Sequence, residues 1–232
     1  MLYYFFLSYA HNNDNEDVAA FYDDLSVQLR VRTGADRDSR VGFRDNNILR
    51  AGEAWPVELI DAISTAKTFV ALYSPRYFLS KVCGQEWSVF AHRLAEYEAQ
   101  HGRRAPALIP LMWVDNTEVP ARLKDIQHGD FSFGQEYARH GAWDLVQMRN
   151  TRHHDAYRDF VRAVAVRIKE IAATHHLPEY SGPRALADIP NAFDPTAPVI
   201  PVQTSRRATP QTPTGDRNGG TRPLLRYETD TP

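Results

Sequence analysis

Cys83 and Glu86 lie three residues apart in the stretch Ser-Pro-Arg-Tyr-Phe-Leu-Ser-Lys-Val-Cys-Gly-Gln-Glu-Trp of residues 74–87, and each can support a different chemistry. A thiolate acts as a nucleophile when a histidine base, oriented by Asn or Asp, stands beside it. A carboxylate can work with less help, by holding hydroxyl groups or stabilising developing positive charge. Cys83 is the chain's single cysteine, and the nearest downstream histidine is His92. Nine residues along one expected helix is about two and a half turns, out of reach of the thiol. A solitary cysteine is commonly a small buried hydrophobe. Glu86 has a plain alternative too: a carboxylate in a helix's first turn is stabilised by the exposed N–H groups, by about 0.3–1 kcal/mol.

The elements that must position these residues are readable from apolar periodicity. Residues 3–7 form an uninterrupted apolar run, as in a strand buried on both faces. Val18, Phe21, Tyr22, Leu25 and Leu29 follow at helical spacing, with Asp14 or Asn15 available as N-cap. Residues 41–43 predict a short second strand. A polar loop over 44–54 leads to a helix with Pro56 in its first turn and Leu59, Ile60 and Ile63 inward. Residues 68–73 predict a third strand, stopped by Ser74-Pro75, and a helix carrying Trp87, Phe90, Ala91 and Leu94 follows. Residues 107–114 predict the fourth strand and residues 125–131 the fifth. Tyr157, Phe160, Val161, Val164, Ile168 and Ile171 make one stripe on a last helix. Strands alternating with helices imply parallel pairing. The expected fold class is therefore α/β: a flavodoxin-like, five-stranded parallel sheet with helices on both faces. Sites on such sheets lie at the carboxyl ends of the strands, which brings residues 8–12, 44–54 and 74–86 around one crevice.

Ten of the fifteen prolines fall from Pro178 onward, where apolar periodicity stops. The expected organisation is a domain over 1–176 and a Pro-rich, disordered tail over 177–232. Two PxxP spacings in that tail are read as linker composition rather than as peptide ligands. A net charge of −2, from 27 basic and 29 acidic residues, gives no basic excess for nucleic acid or a membrane surface. No apolar run approaches the ~18 residues of a membrane span. The opening residues lack the basic segment and small-residue cleavage site of a leader, and one cysteine allows no intrachain disulfide, so a cytoplasmic location is expected. GxxxxGK[ST] and GxGxxG are missing, as are the strand-end carboxylates of a response regulator. His153-His154 and His175-His176 are adjacent pairs, pointing about 100° apart on a helix, and no metal site is expected.

Three motifs in order carry a resemblance. Phe5-Phe6-Leu7-Ser8-Tyr9-Ala10 is an apolar strand ending in Ser-Tyr; Phe43-Arg44-Asp45 with Gly52 precedes a helix; Ser74-Pro75 precedes Cys83-Gly84-Gln85-Glu86-Trp87. Over residues 1–175 the chain resembles a bacterial TIR (Toll/interleukin-1 receptor-like) domain, and its overall tone is similar to the actinobacterial FxsC-type subgroup. The resemblance implies a signalling or defence protein that cleaves the nicotinamide–ribose bond of NAD+, giving nicotinamide and ADP-ribose or a cyclised variant. In that NAD+ glycohydrolase reading Glu86 is the catalytic carboxylate. Phe6, Ser8, Tyr9, Arg44 and Asp45 are the substrate-binding residues, NAD+ is the substrate, and no further cofactor is needed. Gly52 is the expected hinge of a closing loop. The implied partners are other TIR domains or a second copy. Enzymatic relatives often carry tryptophan four residues before the glutamate and proline before the loop glycine, where this chain has Val82 and Ala51. Those departures keep open a non-catalytic adaptor acting through TIR–TIR contacts. A nucleoside deoxyribosyltransferase, also α/β with a glutamate, is a third reading that the first-strand motif fits less well.

Overall fold

Four parallel strands, not consecutive in space, organise the described part of the molecule. The structure is a computed structural model that describes residues 3–11, 15–44, 57–123 and 133–196. Its elements are β1 (Phe5–Ser8), α1 (Asn15–Thr33), β2 (Gly42–Arg44), α2 (Val57–Thr65), β3 (Thr68–Tyr73), α3 (Pro75–Leu79), α4 (Lys81–His101), β4 (Leu108–Met112), α5 (Gln135–Gln147) and α6 (His154–Thr174). The strand order is β2-β1-β3-β4, with every neighbouring pair parallel. The chain therefore passes from β2 across β1 to β3, and the order reverses between β1 and β3. In open α/β sheets that reversal opens a crevice outside the strand carboxyl ends. The α/β, flavodoxin-like expectation holds; residues 125–131, expected as the fifth strand, lie outside the described residues, as does most of the 44–54 loop.

The apolar run at the start is buried because both faces of β1 are covered. Phe5 meets Tyr22 of α1, with ring centroids 5.6 Å apart. Phe6 stacks on Phe43 of β2 and Phe69 of β3, at 5.4 and 5.7 Å, and Phe69 stacks on Phe90 of α4 at 5.1 Å. Successive side chains of a strand point to opposite faces, so β1 divides its residues between two helical layers. One layer packs α1 with α5 and α6; the other packs α2 and α3 with α4. The α6 stripe read from sequence is buried along its whole length, from Tyr157 to Ile171.

Two short segments depart from the periodicity. A short additional helix, α3, stands after β3 ahead of the expected one, which is α4. Ser74 caps α3, accepting from the Tyr77 N–H at 3.2 Å with Pro75 in its first turn, and Ser80 caps α4, accepting from the Cys83 N–H at 3.2 Å. Each serine satisfies one of the orphan donors a helix start leaves. The second departure concerns the expected loose tail. Residues 178–193 belong to the same compact unit as the sheet, with Tyr180, Ile189, Ala192 and Phe193 buried, so the packed fold continues past the expected boundary at 176.

Candidate functional site

Ser8 is the last residue of β1, and period-two alternation puts it on the same face as Phe6, toward α4. A serine at the end of an aromatic strand needs a polar partner when only 1% exposed, and it finds two. Its hydroxyl donates to Glu86 Oε2 at 2.5 Å, and its Oγ lies 3.1 Å from the Tyr77 hydroxyl. Serine has one hydroxyl proton, and here it goes to the carboxylate; the Tyr77 phenol is therefore the donor in the second contact. A directed chain results, from Tyr77 through Ser8 to Glu86. It joins α3, β1 and α4 at the β1–β3 reversal.

Glu86 is 4% exposed and stands in the second turn of α4, six residues after the Ser80 cap; no acidic residue occupies the first turn. The helix-end explanation of this glutamate therefore fails: the dipole effect fades within the first turn. Its carboxylate reaches across the layer to a strand end instead. Burial pushes the Tyr77 phenol well above its ordinary value, helped by neighbouring Cys83 and Tyr73 and by the Glu86 charge. Burial likewise pushes the Cys83 thiol well up, with the Glu86 charge second in size. Cys83 is 2% exposed and stays protonated, so it lacks the thiolate that nucleophilic attack requires. His92 is occupied elsewhere, near Glu96 at 3.7 Å and edge-on to Tyr180 at 5.2 Å.

The structure brings together two of the six residues expected to form the site, Glu86 and Ser8. Phe6 is fully buried between Phe43 and Phe69 and serves the core. Tyr9 is nearly buried, its ring 4.7 Å from that of His11 just beyond β1. Arg44 pairs in register with Leu7, and its guanidinium lies 5.2 Å over the Tyr22 ring of α1. That is the face opposite Glu86, because one step along a strand changes sides. Asp45 lies outside the described residues. Tyr77 was missed by sequence reasoning, because a five-residue helix is too short to show an apolar period.

A parallel sheet of order 2-1-3-4, with a buried carboxylate at its reversal point, defines a class of α/β proteins with a site at the strand ends. A family model described as TIR domain matches residues 5–145, more than half of the chain, and the protein belongs to the TIR domain family. Comparison with curated proteins finds no match. Among solved structures the chain is similar to the TIR domains of the activated Roq1 resistosome directly recognizing the pathogen effector XopQ, at 17% identity and a TM-score of 0.33, over 74% of this chain and 84% of that one. Among the described residues no helix is long and apolar enough to cross a membrane.

Proposed function

We propose that this TIR domain cleaves the nicotinamide–ribose bond of NAD+ with Glu86 as the essential carboxylate, acting in signalling or defence. The observation that carries the reading is the position of Glu86: buried at the strand reversal, braced by the Ser8 hydroxyl, and not used to finish a helix end. Breaking the C1′–N bond sends its electron pair to nicotinamide, which leaves neutral and needs no strong acid. The ribose becomes oxocarbenium-like, as in glycoside cleavage. A fixed carboxylate beside the ribose hydroxyls orients them and stabilises that charge. Water then bonds to C1′ and releases a proton, giving ADP-ribose; attack by a group of the same nucleotide gives a cyclised product. Phe6, Tyr9 and Arg44 make packing contacts in the described geometry rather than facing the crevice; Ser8 is retained as the group that orients Glu86, and Asp45 keeps the substrate-binding role that the family resemblance implies.

The test is to incubate concentrated protein with NAD+ and follow nicotinamide by mass spectrometry. Wild type and Cys83→Ser should release it, and Glu86→Ala should not. Val82 favours a second reading. It packs half-buried against the core where enzymatic relatives often carry tryptophan, which suits an adaptor that engages other TIR domains without chemistry. Wild-type protein that leaves NAD+ intact even when self-associated would select that reading.

A further inference from the structure

The family match ends at residue 145, but the described fold continues to residue 196. Residues 178–193 run along α4 as a strap, and α4 is cut to receive it. Arg93, 1% exposed, donates from Nε to the Pro178 carbonyl at 2.8 Å and from Nη1 to the Ile63 and Ala66 carbonyls at 2.9 and 2.7 Å. Gln85, fully buried, donates from Nε2 to the Leu186 and Ile189 carbonyls at 2.7 and 2.9 Å. The Gly84 carbonyl accepts from the Ala192 N–H at 3.1 Å, and a Cβ at position 84 would collide with Asn191 Oδ1. Buried polar groups are costly without partners, so Gln85 Nε2 and Arg93 Nε need the strap's carbonyls, while Arg93 Nη1 is satisfied at the end of α2.

The strap ends at the site. Phe193 is 8% exposed, with its ring centroid 5.3 Å from that of Tyr77 and 5.3 Å from that of Phe78. Tyr77 is the first member of the hydrogen-bond chain to Glu86. We propose that Phe193 is a positioning residue for Glu86: the strap seats its ring on Tyr77, which fixes the phenol that holds Ser8, which in turn orients the carboxylate. The proposal rests on the NAD+ cleavage reading for its catalytic consequence, while the positional consequence can be measured without it. Removing the ring frees Tyr77 to rotate, lets Ser8 turn away, and takes the Ser8 hydroxyl from the Glu86 carboxylate.

The experiment uses the full chain and three variants: Phe193→Ala, Phe193→Tyr as the ring-retaining rescue, and Ser181→Ala, which removes the strap's contact with Glu96 far from the site. Each is checked for folding by thermal melting, then assayed for nicotinamide release and for alkylation of Cys83, the single thiol beside Tyr77, by iodoacetamide. Phe193→Ala should lower kcat about tenfold with KM within about twofold, because a small misplacement of a reacting group is costly. Cys83 alkylation should rise about tenfold or more as local opening becomes easier. Phe193→Tyr should restore both values, and Ser181→Ala should change neither. Should Phe193→Ala fail to fold, Asn191→Ala loosens the same end of the strap, where Asn191 Oδ1 accepts from the Phe193 N–H at 3.0 Å, and carries the same expectations at about threefold. A folded variant with wild-type kcat, or with unchanged alkylation, overturns the proposal. If wild type releases no nicotinamide, the NAD+ reading fails, and the alkylation rates alone decide whether Phe193 holds the cluster.

Discussion

α4 and α6 are both 21 residues long and cover opposite faces of the sheet, yet they are buried in different ways. α6 buries one apolar stripe, with none of the buried polar or charged side chains outside Tyr157's phenol, and leaves its other face to solvent. α4 buries Gln85, Glu86, Ser88 and Arg93 along with its aromatic residues. The first pattern is what amphipathic packing alone produces. The second is costly, and such cost persists where structure or chemistry requires it. Three of the four differ by partner: Gln85 holds the strap, Arg93 joins it to the end of α2, and Glu86 faces the end of β1. Burial of a charge does not by itself mark a catalytic group; what a buried group is joined to makes the distinction.

The contrast is broken most strongly at Glu86. Glu86→Gln should keep the fold and lower nicotinamide release by about a hundredfold to a thousandfold, the range found for loss of one preorganised electrostatic group. Comparable melting with wild-type turnover would place Glu86 among the structural polar residues. Arg93→Ala should do the reverse, costing about 3–5 kcal/mol of stability in urea unfolding, because it strands three carbonyls and empties a buried volume. Ile168→Ala, on α6, should cost about 2–5 kcal/mol through its cavity, with kcat unchanged in the folded protein. An α6 variant that changed kcat would erase the distinction between the two layers.

How much of this was legible beforehand follows the same division. The β1 run and the α6 stripe were readable because apolar side chains repeat at the period of the element. The motif singled out Glu86, which the structure places against Ser8 at the end of β1, and Cys83 could be set aside for want of a base. Arg44 was misplaced because sequence order put it near the crevice, whereas the register Leu7↔Arg44 sends it to the α1 face. The strap was hidden for a different reason. It docks largely through its own backbone carbonyls at Pro178, Leu186 and Ile189, and every residue type carries a carbonyl. Prolines also interrupt any period. The remaining signal, Tyr180, Ile189 and Phe193 spaced through a proline-rich stretch, shows that composition alone cannot separate a packed strap from a loose tail.

Two smaller effects sharpen the comparison. Gln85→Leu removes both donors to the strap while keeping an apolar volume, and should cost about 1–3 kcal/mol. Proteolysis or hydrogen exchange should show the loss as opening of residues 178–193 with α6 unaffected. The last effect is alkaline. Cys83 and Tyr77 have native values raised above the usual 9.0 and 10.0 by burial, and Tyr157, bonded to Asp24 at 2.7 Å, is raised by burial first and then by that carboxylate. In each case the native state keeps a proton that the unfolded chain releases, so stability falls as pH rises past the unfolded value. Each such group contributes about 1.4 kcal/mol per pH unit. Between pH 9 and 10 the decline should come from Cys83 on α4, and Cys83→Ala should flatten it by one proton's slope. Above pH 10 both layers contribute, and Tyr157→Phe should remove the α6 share while leaving the earlier decline in place. A Cys83→Ala protein with an unchanged slope between pH 9 and 10 would mean that the thiol titrates as it does in water, and that the α4 layer is open to solvent beside Glu86.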